Sequence, residues 1–303
     1  MKAIVCPKYG APDVLQISEV EKPVPRPNEI RVKVHATTVT TGDCRVRAFN
    51  SPLSFWIPMR LFLGIRRPRQ PILGVELAGE VELAGQAVTQ FKKGDRVFAL
   101  TGMRFGGYAE YACLPENSLV APIPAHISYE DAAAVAFGGT TSLHFFRKGN
   151  MHRGQKVLIY GASGAVGTSA IQLAKHSGAE VTAVCSSANA ELVKSLGADY
   201  VIDYTKENFW ERGEHYDIVF DAVGKSTKSA CTKALASGGR YLTVEGQGVV
   251  VERREDMYVL KELMENGSLK AVIDRRYRME QIAEAHRYVE SGRKKGNVVV
   301  AIP

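Results

Sequence analysis

The chain has 303 residues, a formal net charge of +7 and an apolar fraction of 45%. This is enough for two domains with ordinary cores, and no apolar run is long enough to span a bilayer. The densest basic groups, Arg66–Arg69, Arg275–Arg278 and Arg293–Lys295, lack the aromatic interleaving of a nucleic-acid binder. Neither nucleic acid nor membrane is therefore expected as a partner. The opening "MKAIVCPKYG" has no signal-peptide apolar region, which points to a cytoplasmic location. Cys6, Cys44, Cys113, Cys185 and Cys231 form no CxxC pair and are odd in number, so free thiols are expected.

In chain order, "AIV", "IRVKVHATTV", "AGEVELAG", "DRVFALT" and "AEYACLP" read as strands, with few helices among them. This first part is expected to be β-rich and partly barrel-like. From Tyr129 a helical pattern begins, with Ser128 as its N-cap. Strand and helix then alternate through "KVLIY", "VGTSAIQLAKHSG", "EVTAVC", "NAELVKSLG", "DYVIDY", "DIVFDAVG", "TKSACTKALASG" and "RYLTVEG". Repeated βα units are the mark of a doubly wound parallel sheet. Five strands are clear in it, with "GVVVE" as a sixth candidate. Gly178, Gly197 and Gly238 are expected where helices stop. Two helical patterns, in "EDMYVLKELMENG" and "MEQIAEAHRYVESG", precede a last strand, "NVVVAIP", which is expected to return to the β-rich domain. The expected boundaries are 1–125 with 269–303 for that domain, and 126–268 for the nucleotide-binding one.

The segment "LIYGASGAVGTSAIQLAK" follows a strand and opens a helix. Set against G-x-G-x-x-G, Ala162 takes the first glycine position, and Gly164 and Gly167 fit the others. A small residue permits the tight turn, Gly164 lets backbone approach a pyrophosphate, and Gly167 lets the helix pack on the strand. The helix N-terminus then offers free amides to the anion. The alternative is a tight βα turn with no ligand. An NAD-selective site usually carries an acid at the end of the second strand. That strand ends here in Cys185, Ser186 and Ser187, with no acid, which favours NADPH over NADH. The serines could instead, or also, cap the following helix.

"NEIRVKVHATTV", "GVELAGEV", "KKGDRVFAL", "GGYAEYACLP", "LIYGASGAVGTSAIQLAK", "LGADYVIDY" and "FDAVG" together resemble the medium-chain dehydrogenase/reductase superfamily. The likeness is to its zinc-free quinone oxidoreductase branch, and it runs over nearly the whole chain. It implies a GroES-like β-rich catalytic domain plus a Rossmann domain, and a cleft that holds NADP(H). By position, Gly161, Ala162, Ser163, Gly164, Ala165, Val166 and Gly167 match the pyrophosphate loop. Ser186 and Tyr204 match two of the three residues that hold the 2′-phosphate in this branch, beside Ser187. The third, a lysine, is Asn189 here. Thr140 matches a position near the nicotinamide, Val223 and Gly224 the adenosine side, and Asn297 another cofactor contact. Members usually dimerise through Rossmann edge strands. The region after "RYLTVEG" is short here, so monomer and homodimer both stand.

Zinc-dependent relatives write the 70s segment as G-H-E and place a zinc-binding Cys three residues before an Asp. This chain has Gly74-Val75-Glu76, and Thr40 three residues before Asp43. No metal is expected. Without a Lewis acid, oxidation of a simple alcohol loses its driver, whereas hydride addition to an enone or quinone needs only hydrogen-bond donors. The expectation is NADPH-dependent reduction of a quinone or an activated C=C. A catalytically weak NADPH-binding sensor or scaffold is the alternative. Glu76 is expected to be structural, bonded to backbone or paired with Arg45 or Arg47. Asp43 and Tyr108 are catalytic candidates, with a turn or helix cap as the other reading of Asp43. Tyr108 is read in a strand. The stretch "AFNSPLSFWIPMRLF" holds no Tyr, which disfavours the thioester-reductase mechanism of the superfamily. Its Phe55, Trp56 and Phe62 either wall an apolar substrate pocket or pack in the core.

Overall fold

The computed structural model of the chain describes residues 1–50, 56–247 and 250–303. Two compact units divide them: Met1–Ala136 with Ile273–Pro303, and Phe137–Val272. The first unit opens with β1 (Lys2–Val5), β2 (Gln16–Glu19), β3 (Glu29–Thr38), α1 (Thr41–Ala48), α2 (Trp56–Leu63) and β4 (Glu76–Ala84). It continues with β5 (Arg96–Leu100), β6 (Tyr111–Pro115), β7 (Val120–Pro122) and the start of α3 (Tyr129–Lys148). The second unit carries β8 (Lys156–Tyr160), α4 (Ala165–His176), β9 (Glu180–Cys185), α5 (Ala190–Ser195), β10 (Tyr200–Asp203), β11 (Tyr216–Asp221), α6 (Lys228–Lys233), β12 (Leu235–Thr243) and α7 (Arg254–Glu265). The chain then returns to the first unit through β13 (Ile273–Arg278), α8 (Ile282–Glu290) and β14 (Asn297–Ala301). The division thus falls inside α3 and just before β13.

In the first unit a seven-stranded sheet runs β13-β14-β3-β4-β5-β7, with β6 also on β3. Alternating side chains of β3 are buried, the period of two that its sequence carries. Its core includes Ile30, Val32, Val34, Leu77, Val81, Val97 and Val298. The last strand does return here: β14 runs antiparallel to β3, pairing Val299 with Thr38.

The second unit is a parallel sheet in the order β10-β9-β8-β11-β12. Reading outward from β8, the chain builds three strands one way and then crosses to build two the other. The reversal lies between β8 and β11, where open α/β sheets bind ligands beyond the strand C-termini. Of the sixth candidate strand, residues 248 and 249 lie outside the described residues, and Val250–Glu252 are not in a strand.

Two expectations need revision. The first third carries two helices. In α1 the helix is only eight residues long and is nucleated by a capping box rather than by an apolar stripe. In α2, "WIPMRLFL", nearly every side chain is apolar, so no helical period shows, and Pro58 lies in the first turn, where it is tolerated. Gly238 does not stop a helix: α6 ends at Lys233, and Gly238 (φ +78°) belongs to a bulge in β12, whose pairing with β11 jumps from Leu235 to Arg240. Gly178 and Gly197 do stand at helix ends with positive φ. No helix among the described residues is long and apolar enough to cross a membrane.

Candidate functional site

The second unit carries a glycine turn after β8. Gly161 has φ +75°, and a Cβ there would lie 2.5 Å from a Val223 methyl carbon. At Gly167 a Cβ would lie 2.3 Å from the Gly161 carbonyl oxygen, so this glycine is needed for α4 to pack on the turn. Gly164 differs. It is the N-cap of α4 in extended conformation, with no side chain to cap the helix, and a Cβ there would meet nothing nearer than 3.5 Å. The space in front of it, at the amides of the first turn, is open to an anion. Ala162 and Val166 are buried and only pack; Ser163, Gly164 and Ala165 are half-buried and face outward as candidates for contact. A dinucleotide pyrophosphate fits this turn.

Across the sheet's reversal, the loop after β11 is tied by a residue the sequence reading passed over. The buried Asp221 carboxylate accepts from the amides of Val223 (3.1 Å), Gly224 (2.9 Å) and Ser226 (2.7 Å). Burial raises its pKa against those amides. An Asp three residues before a Gly at a strand end is the signal that finds it.

The end of β9 forms the third side. Asn189 donates to the Ser163 hydroxyl at 3.0 Å and to Ser186 at 3.4 Å, which couples the glycine turn to the β9 end. Its Oδ1 is buried with no partner. Neither serine caps a helix through its side chain, contrary to the alternative reading. The Ser187 hydroxyl donates instead to the Asp203 carboxylate. An acid thus does stand beside the β9 end, supplied by the neighbouring strand: register pairs Asp203 with Cys185. Tyr204 is exposed, with its ring 6.2 Å from that of Tyr160. Thr140 is buried in α3 and donates to the Phe137 carbonyl at 3.3 Å.

In the first unit the sequence candidates meet in a buried polar cluster. Thr40 is the N-cap of α1. Its hydroxyl donates to Asp43 (2.6 Å) and accepts from the Asp43 amide (3.1 Å), while the Thr40 amide donates back to the carboxylate (2.9 Å). Gly74 donates to the other Asp43 oxygen at 3.2 Å. Asp43 is therefore a helix-cap residue, and burial still lifts its pKa to about 6. Tyr108 is fully buried at a bend before β6 rather than in a strand, packed on Gly74, with its hydroxyl 3.2 Å from Nε2 of His286. Cys44 Sγ lies 3.4 Å from Nδ1 of the same ring. Burial lowers His286 to about 3 and lifts the Cys44 thiol far above its usual range, so both are neutral. The sequence reading passed over His286 because its partners are far away in the chain.

Glu76 is wholly buried, as its apolar setting implied, and accepts from the Thr38 hydroxyl. Its charge also faces Lys294, whose pKa burial lowers to about 8. Arg47, expected as a possible partner, pairs with Glu290. Asn297, at the head of β14, is buried. Trp56 and Phe62 are 44% and 58% exposed, so neither is a core residue; Phe55 lies outside the described residues. Among the described residues no group of three or more His, Cys, Asp or Glu is placed to hold a metal ion.

Two family models match the chain: an alcohol dehydrogenase GroES-like domain over residues 26–125 and a zinc-binding dehydrogenase domain over 165–290. A 2-methylene-furan-3-one reductase of Solanum lycopersicum is 33% identical over 319 residues, covering 99% of this chain and 79% of that protein. A chloroplastic NADPH-dependent alkenal/one oxidoreductase of Arabidopsis thaliana is 32% identical with the same coverage. Among solved structures, the quinone oxidoreductase from Coxiella burnetii superposes with a TM-score of 0.84 at 25% identity, covering 100% of this chain and 99% of that one.

Proposed function

This chain belongs to the medium-chain dehydrogenase/reductase superfamily, in its quinone oxidoreductase-like branch, and on that premise we propose that it reduces a quinone or the activated C=C of an α,β-unsaturated carbonyl with NADPH and without zinc. The observation that carries the reading is the turn after β8, where Gly164 leaves room for a pyrophosphate at the start of α4. The likeness to a 2-methylene-furan-3-one reductase and an alkenal/one oxidoreductase supports the substrate class.

When bound, the reduced dinucleotide supplies a hydride to an electrophilic carbon or a quinone. The residues of this chain hold and orient. Ser163, Gly164 and Ala165 offer the pyrophosphate the α4 amides. Val223 and Gly224, fixed by Asp221, wall the adenosine side. Ser186, Ser187 and Tyr204 stand toward the adenosine ribose. Thr140 and Asn297 enter the proposal from the family pattern. Trp56 and Phe62 offer apolar surface to a substrate. Asp43 and Tyr108 are positioning residues here, since both are wholly buried, and water completes the product with a proton.

The zinc-free part rests on Thr40 and Val75. The Thr40 hydroxyl is committed to Asp43, and a valine offers no ligand. Purified protein would be given NADPH with a panel of quinones and enones, and its metal content measured. Turnover with the panel, none with simple alcohols and sub-stoichiometric metal are expected. Tight NADPH binding with no oxidation across the panel leaves the sensor or scaffold reading in its place. Stoichiometric zinc with alcohol oxidation overturns the zinc-free part.

A further inference from the structure

The end of β9 carries a charge that the β9 sequence does not show. Asp203 closes β10 level with Cys185, and its carboxylate accepts from the Ser187 hydroxyl on one oxygen and from the Thr205 amide (3.0 Å) and hydroxyl (2.7 Å) on the other. Ser187 follows Ser186, and Asn189 ties Ser186 to Ser163 in the glycine turn. One continuous polar rim therefore leads from the pyrophosphate turn to this carboxylate. In a doubly wound sheet that rim is where the adenosine ribose lies once the pyrophosphate sits on the first helix.

We propose that Asp203, oriented by Ser187, limits the preference for NADPH, so that NADH is bound within about tenfold of NADPH and is a working second donor. The inference rests on the dinucleotide reading above.

A 2′-phosphate carries about two negative charges near neutral pH, and a fixed carboxylate nearby opposes them. The hydrogen bonds from Ser187 and Thr205 hold the Asp203 pKa well below the usual carboxylate range, so the charge is present throughout the neutral region. Lys206 is 3.6 Å from Asp203 but its side chain is 73% exposed, and exposed pairs are weak. The position that carries a cation in the branch is Asn189, whose amide nitrogen is spent on Ser163 and Ser186. Ser187, which would otherwise donate to a phosphate, donates to Asp203. The unphosphorylated ribose of NADH meets none of this repulsion, and its hydroxyls can donate to a carboxylate.

The test is direct titration of the full chain with NADPH and NADH by calorimetry, for the wild type, Asp203→Asn and Asn189→Lys. Thermal melts establish that each variant is folded. Asp203→Asn is expected to tighten NADPH roughly tenfold and leave NADH within about threefold, since one charge near a protein surface acts on this scale. Asn189→Lys is expected to shift the ratio the same way. A wild type that binds NADPH more than about tenfold tighter than NADH, or variants that leave the ratio unchanged, overturn the inference while the dinucleotide reading stands. Failure of both dinucleotides to bind overturns both.

Discussion

The Tyr108 hydroxyl lies 3.2 Å from Nε2 of His286, and the two rings meet nearly perpendicular at 5.8 Å between centroids. The residues are 178 apart in sequence and wholly buried in the same unit. With Cys44 on the other ring nitrogen, the imidazole is fixed as a neutral donor and acceptor.

This arrangement makes the fold sensitive to acid. The His286 pKa falls from 6.5 to about 3 on folding, because burial disfavours the charged ring and Arg47 repels it. The folded state therefore binds fewer protons than the unfolded one below pH 6.5. Stability from this group is complete above that pH and is lost as pH falls toward 3, by up to about 5 kcal/mol. Urea unfolding of the wild type and His286→Gln from pH 7.5 to 4.5 checks it. The variant is expected to be less stable at pH 7.5 but to lose less on acidification. Parallel curves would remove His286 as the cause.

Asp43 acts with the opposite sign. Its folded pKa is raised from 3.8 to about 6, chiefly by burial. The folded state binds more protons between those values, so its burial penalty is felt above pH 6 and relieved toward pH 4, by about 3 kcal/mol. Asp43→Asn carries no such dependence. The stability deficit of the variant relative to wild type should therefore be about 3 kcal/mol larger at pH 4 than at pH 8. An equal deficit at both pH values would show that Asp43 titrates normally.

The five cysteines are free and none is poised to react. Burial lifts Cys6, Cys113 and Cys185 to about 11, and Cys44 and Cys231 are raised as well. Since the thiolate is the nucleophile, folded protein at pH 7.5 should react with a disulfide reagent about a hundredfold more slowly than free cysteine. All five should react at once in denaturant. One rapid equivalent in the folded state would contradict this.

Gly164 and Gly167 should separate when each becomes Ala. At Gly167 the added Cβ meets backbone at 2.3 Å, so Gly167→Ala should cost about 2 kcal/mol or more of stability. At Gly164 φ is −82° and a Cβ has room, so Gly164→Ala should melt within about 1 kcal/mol of wild type. Its methyl stands where the pyrophosphate would lie, and dinucleotide affinity should fall about tenfold or more. Undiminished affinity would place the pyrophosphate elsewhere.

The two-domain fold was legible because its signals are local. The strand–turn–helix around Gly161–Gly167 and the alternation in β3 declare themselves within a few residues. The capping box of Thr40 and Asp43 is local too, but the cap itself falls on Thr40, with Asp43 at the third helical position rather than at the turn or N-cap expected of it. What escaped depends on pairing between distant segments. Asp203 faces Ser187 only because β10 lies beside β9 in a given register. His286 meets Cys44 and Tyr108 only through tertiary packing. Arg47, one of two candidate partners of Glu76 taken from the family layout, pairs through tertiary packing with Glu290.

The pairing of β14 with β3 has a consequence for how the molecule is made. The first unit takes its central partner strand from residues near the far end of the polypeptide, Val299 against Thr38. During synthesis, Phe137–Val272 can condense as soon as it leaves the ribosome, since its strands are contiguous in the chain. The earlier-made β3 finds β4 and, over Glu29–Lys33, β6, but its last residues, Ala36–Thr38, must wait unpaired on one edge until β14 emerges. Nascent chains arrested before β14 should therefore hold a folded nucleotide-binding half tethered to an unfinished, protease-sensitive sheet.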